Sequence, residues 1–288
     1  MASNSHSQRP DDEVVPEVEP GLSRDEVRKV NESRRLRAVV VYEIIRTEGE
    51  GELRRGFPAL WWSGLAAGIS IGFSFLTEAA LAARLPESSW KEIIADLGYT
   101  VGFLIVILGR QQLFTENTLT AVLPVVKHRQ TKWLVKMLRL WSIVLVANLV
   151  GCFMFAYAIS NFEMVSTAVE REMAVIVTHM MQNDAFAMFA KGIGAGWIIA
   201  ALVWMLPSSD GSEFSVIFLM TYLIALCGFT HIIAGSAEAM YGWLNGMHTL
   251  QQAAGHFFLP TLAGNVFGGT ALFAVLSYAQ VREVISED

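Results

Sequence analysis

The chain has 288 residues, 53% hydrophobic and 17% charged, with a mean hydropathy of +0.43 and a formal net charge of -6. Ten of its 21 Lys/Arg lie in residues 1–56, while residues 140–281 carry only Arg171 and Lys191. Soluble domains spread charge over their whole surface, so this distribution places most of the chain among polytopic membrane proteins. The acidic balance and the lack of a basic face exclude a nucleic-acid partner. Cys152 and Cys227 both sit in apolar runs, which excludes a disulfide scaffold.

Residues 1–23 are acidic, contain Pro10, Pro16 and Pro20, and show neither the apolar core of a signal peptide nor any helical pattern. They read as a disordered tail. Residues 24–56 read as a cytoplasmic amphipathic helix, either lying on the anionic inner leaflet or solvated. Six apolar regions follow, at about 57–83, 97–126, 140–162, 185–206, 214–246 and 257–280. Each is long enough to cross roughly 30 Å of hydrocarbon as a helix. With the N-terminus inside, 16 Lys/Arg fall on cytoplasmic segments and Arg84, Lys91 and Arg171 on the other side. Both termini are therefore expected in the cytoplasm, with an even number of crossings.

The second and fifth regions are long and carry polar residues at their middle: Arg110 to Asn117 in one, Gly228-Phe229-Thr230-His231 in the other. A charged or broken backbone persists in lipid only where protein or a watery cavity satisfies it. Two interrupted helices meeting near the midplane is one reading; two tilted continuous helices is the other. Internal similarity favours the first. Phe114-Thr115 recurs as Phe229-Thr230, 115 residues on, and Asn148-Leu149-Val150-Gly151 as Asn265-Val266-Phe267-Gly268, 117 on. Gly64, Gly68 and Gly72 open one half, and Gly192, Gly194 and Gly196 the other. Three helices per half makes the second half inverted, with a site between the breaks. The fold class expected is an all-α membrane protein of six transmembrane helices, its channel domain at 57–282 built from repeats at about 57–162 and 185–282.

Leu113-Phe114-Thr115, Gly228-Phe229-Thr230-His231 and the run Pro260-Thr261-Leu262-Ala263-Gly264-Asn265-Val266-Phe267-Gly268-Gly269 together resemble the formate/nitrite transporter family. The likeness is strongest to a subgroup of bacterial inner-membrane proteins with a long charged N-terminus. The resemblance implies an aquaporin-like fold with broken second and fifth helices. It also implies a homopentamer with one pore per subunit, passing a small monovalent anion or its conjugate weak acid. It puts His231 at the pore centre and Thr115 on the loop that interrupts the second helix. Phe114, Phe103 and Ile199 match an apolar constriction towards the cytoplasm, Tyr99 and Ile224 one towards the outside. Physically, an anion in an apolar slit carries a large desolvation cost, which half-helix ends and an imidazole donor offset.

The sequence also departs from the family. Gly196 stands where the resemblance implies an asparagine reaching the histidine. Met180 stands where it implies a lysine, and Lys191 falls well inside the fourth region, either snorkelling or pairing with an acid such as Glu78. Glu116, beside Thr115, is neutralised by Arg110, protonated, or a selectivity element. Hence two other readings stand: a pore of the same fold for neutral solutes or cations, selected by Glu116, and a membrane scaffold with a vestigial pore. His179, His248 and His256 are expected near the outer interface. No HExxH and no His/Cys/Asp cluster at ligand spacing argues for an enzyme, a metal or another cofactor.

Overall fold

The computed structural model describes Ser23, Asp25 and residues 36–286. The expected acidic tail and the start of the amphipathic segment lie, those two residues apart, outside the described residues. In chain order the helices are α1 (Ala38–Glu52), α2 (Phe57–Ala82), α3 (Thr100–Leu108), α4 (Asn117–Thr120) and α5 (Val122–His128). They continue with α6 (Thr131–Asn161), α7 (Thr167–Met181), α8 (Ala185–Met205), α9 (Glu213–Leu226), α10 (Ile232–Leu244) and α11 (Leu250–Val281). A short helix Lys91–Ala95 and a 3-10 turn Asp96–Tyr99 lead into α3. By length and apolar composition α2, α6, α8 (with the turn that extends it to Ser208) and α11 suffice to cross a membrane.

The second and fifth apolar regions are interrupted. α3 ends at Leu108 and helix resumes only at Asn117; α9 ends at Leu226 and helix resumes at Ile232. Both stops use the same backbone device. Arg110 (φ 52°) and Gly228 (φ 60°) turn left-handed. Gln111 N–H then donates to Val106 O and Phe229 N–H to Ile224 O, both at 2.9 Å. This six-to-one closure satisfies carbonyls that an abrupt helix end would otherwise leave bare. Glycine adopts that φ at no steric cost, whereas arginine does so against its Cβ.

Those pairs lie 118 residues apart, which corrects the expected register. Phe114-Thr115 is not the structural twin of Phe229-Thr230. Arg110 matches Gly228, Gln112 matches Thr230 and Phe114 matches Ile232, so the likeness of the two Phe-Thr pairs is out of step by three residues.

Each half is held by a close helix pair. α2 packs along α6 and α8 along α11, and a Cβ on Gly68 would fall 2.0 Å from Asn148 O, one on Gly196 2.3 Å from Asn265 O. Only glycine permits that approach. α6 begins at Thr131, more than two turns before the expected Leu140, so Lys132, Lys136 and Arg139 are helical. The sequence reading placed nothing at 163–184, yet α7 forms there, burying Val169, Met173 and Val177 at four-residue spacing.

The face of α1 that carries Val41, Tyr42, Ile45 and Gly49 is buried against protein rather than offered to lipid. It packs on α5 and on the residues from Val275 onward, with Tyr42 and Tyr278 rings 6.0 Å apart. A polar contact fixes it further: His128 Nε2 of α5 lies 2.8 Å from Glu50 Oε1, which also pairs with Arg46 within α1. These partners hold the Glu50 carboxyl below the usual carboxylate range, His128 contributing most. α1 thus caps one mouth of the bundle.

Candidate pore site where the two breaks meet

Two asparagines set the breaks in place. Asn148 of α6 accepts from Phe114 N–H at 2.9 Å and donates to Gly64 O and Gln112 O at 2.8 and 2.9 Å. Asn265 of α11 accepts from Ile232 N–H at 2.8 Å and donates to Gly192 O and Thr230 O, both at 2.9 Å. Each amide therefore ties a neighbouring span to the backbone of a break. Both side chains are fully buried, where an unpaired backbone group is costly.

His231 sits where the two breaks face each other. It is 1% exposed and is the N-cap of α10, its Nδ1 accepting from Ala234 N–H at 3.2 Å. Its Nε2 lies 2.7 Å from Thr115 Oγ1 of the other break. An imidazole that accepts at Nδ1 carries its proton on Nε2 and donates it to the threonine. A second proton would set N–H against N–H and a cation against the positive end of α10. Phe103 packs edge-on against the ring, centroids 4.9 Å apart, and Tyr99 lies 5.3 Å from Phe103. Phe103, Ile199 and Ile224 are fully buried, and Phe114 packs on Trp141 at 5.6 Å.

Cavities approach this plug from both ends. The larger, about 500 Å3, lies beside α1 and is lined by Glu48, Glu52, Arg110, Gln112 and Glu116 among others. The smaller, about 190 Å3, reaches His231 from the opposite end, past Glu78, Asp96, Tyr99, Lys191 and Glu238. Arg110 and Glu116 share the larger cavity, but no ion pair joins them among the described residues, so of the three readings of Glu116 the direct pair with Arg110 is not seen. Gln112 instead donates to Glu52 Oε2 at 2.9 Å, and Asn117 donates to Gln112 Oε1 at 3.2 Å, linking α1 to the first break.

Lys191 does not pair with Glu78. Its Nζ donates to Asn183 Oδ1 at 2.6 Å, and the ammonium stands in the smaller cavity near Gly228. A side chain at Gly196 would run into the Asn265 backbone, and Thr115 supplies the hydrogen bond to His231. The sequence reading missed the clamping role of Asn148 and Asn265, although their repeated Asn-x-x-Gly context was visible. It also missed that Glu78, Glu238 and Lys191 share one cavity; only their odd position inside apolar runs marked them.

Interrupted spans, clamped face to face around one buried histidine with a cavity at either end, define a helical membrane protein of the channel and transporter class. The family model described as formate/nitrite transporter matches residues 39–279, and the chain belongs to that family. It is 42% identical over 250 residues to inner membrane protein YfdC of Escherichia coli, spanning 87% of this chain and 81% of that protein. It is also 27% identical over 240 residues to formate channel FocA of Haemophilus influenzae, spanning 74% and 83%. Among solved structures it is similar to an FNT family ion channel, with TM-score 0.69, 19% identity and 88% and 99% of the two chains covered. It is similar too to a pentameric formate channel with formate bound, with TM-score 0.64, 19% identity and 79% and 98% of the two chains covered.

Proposed function

We propose that the protein is an inner-membrane pore for small monovalent anions or their conjugate weak acids, of formate or nitrite size. In this reading six helices cross the membrane as two inverted repeats, both termini lie in the cytoplasm, and five protomers assemble with one pore each. The hydrogen bond between His231 and Thr115, made across the two breaks at the inner end of a cavity, carries the reading. Phe103, Phe114 and Ile199 close the path towards α1; Tyr99 and Ile224 narrow it on the other side. In such a plug a bare anion is strongly disfavoured, while a neutral acid meets only apolar walls and one Nε2–H donor. The solute is held weakly enough to leave.

Radiolabelled formate uptake into proteoliposomes tests this. Uptake by the wild type, lost or much reduced in His231→Ala, supports it; no weak-acid uptake, or equal uptake by both, overturns it.

One observation favours a second reading. The larger cavity carries Glu48, Glu52 and Glu116 against Arg110, a negative mouth unsuited to concentrating anions. Under that reading Glu116 selects neutral or cationic solutes. Glu116→Gln then changes which solutes pass while formate uptake stays at background.

A further inference from the structure

The smaller cavity holds more ionisable chemistry than a histidine pore needs. Glu238 lies on α10 seven residues beyond His231, two turns along the same helical face, or about 10 Å towards the cavity mouth. It is 7% exposed, it lines the cavity, and among the described residues it has no hydrogen-bond or ion-pair partner. Glu78 of α2 lines the same 190 Å3 space, likewise without such a partner there. Two carboxyl groups lining one space of this size repel each other when both are ionised, so sharing a proton between them is favoured.

The other groups facing this space fit that role. Asp96 and Tyr99 enter from the turn before α3, His179 from α7 and Lys191 from α8. Lys191 is the ammonium among these groups, already held by Asn183, and supplies the attraction that draws an anion in. His231 gives its one proton to Thr115 and accepts at Nδ1, so its geometry is that of a hydrogen-bond donor and not of a proton source.

We propose that Glu238, with Glu78 as its partner, is the group that protonates the permeant anion, in the smaller cavity on the mouth side of His231 and the apolar plug. The proton passes from the Glu238 carboxyl to the anion's oxygen, giving the neutral acid and a Glu238 carboxylate. That carboxylate regains a proton from Glu78 or from water at the cavity mouth. In the reverse direction Glu238 accepts the proton. The proposal rests on the weak-acid reading above.

The test is formate-driven proton uptake in proteoliposomes carrying an internal pH dye, compared at about pH 5.5 and pH 7.5 for wild type, Glu238→Gln, Glu238→Asp and Glu78→Gln. Expected is a roughly tenfold loss in Glu238→Gln at the higher pH, a much smaller loss at the lower one, and substantial recovery in Glu238→Asp. A wild-type protein that carries no weak acid overturns the pore reading and this proposal with it. Wild-type transport matched by Glu238→Gln at both pH values overturns the proposal alone. So does an equal loss at both pH values that Glu238→Asp does not restore, which marks a structural role. Saturable, Glu238-dependent uptake of labelled methylammonium in place of formate marks a cation site and overturns it too.

Discussion

Asn148 and Asn265 stand 117 residues apart and make the same three hydrogen bonds in opposite halves of the molecule. One amide oxygen takes a backbone N–H at each break, Phe114 in one and Ile232 in the other, and one amide nitrogen links a carbonyl of the break to a glycine carbonyl on the adjoining span. Replacing either by alanine leaves a buried donor and two buried carbonyls unpaired, at about 1–3 kcal/mol for each group that water cannot reach. Asn148→Ala and Asn265→Ala are each expected to lower the unfolding midpoint in detergent and to abolish uptake. Aspartate in place of either is expected to do little better, because it cannot donate to the two carbonyls.

The Thr115 hydroxyl is the acceptor for the His231 Nε2 proton. Thr115→Val keeps the shape and removes the partner. The ring keeps its Nδ1 bond to Ala234, so the fold is expected to survive while the donor loses its orientation. Formate uptake should fall by a factor of about 5–10, the equivalent of one neutral hydrogen bond. Unchanged uptake in a protein of unchanged stability refutes the pairing.

At Gly196 the interhelical distance leaves no room for a side chain, since an added Cβ meets Asn265 O at 2.3 Å. Gly196→Ala is expected to cost about 1–3 kcal/mol through overpacking. Thermal unfolding of the purified protein measures it. Gly228→Ala should cost about 1 kcal/mol for a different reason, its φ of 60°.

The contact of α1 with His128 sets a pH dependence. Glu50 is held below the usual carboxylate range by His128 and Arg46, so the folded form binds its proton less readily than the unfolded form. Its contribution is full above the ordinary Glu value and is lost as pH falls below that value through the lowered one. Amide protection at residues 38–52, taken as observed exchange relative to the intrinsic rate at each pH, should therefore fall in mild acid. In Glu50→Gln protection should be lower at neutral pH and nearly independent of pH over the same window. Protection that is flat with pH in the wild type refutes the link.

Much of this architecture was legible in the residue order. Long uncharged runs marked the spans, because lipid tolerates little else, and Arg110-to-Asn117 and Gly228-to-His231 marked the breaks, because polar backbone needs shelter. The motifs around Thr115, His231 and Asn265 were sufficient for the family. The twinning of the two Phe-Thr pairs was misleading, since letters repeat without regard to φ, whereas Arg110 and Gly228 share a left-handed turn that no letter match between arginine and glycine reveals.

Sequence alone determined that the chain is a membrane bundle with two defective helices and a histidine at one defect, because burial in hydrocarbon constrains each span by itself. Only the tertiary structure decided which side chains share a space. It brought Thr115 to His231 across 116 residues, turned the buried face of α1 onto its own bundle, and gathered Glu78, Lys191 and Glu238 around one cavity. Such contacts depend on helix rotation and on approach distances set by Gly68 and Gly196, which act between spans and leave no periodic trace within any one of them.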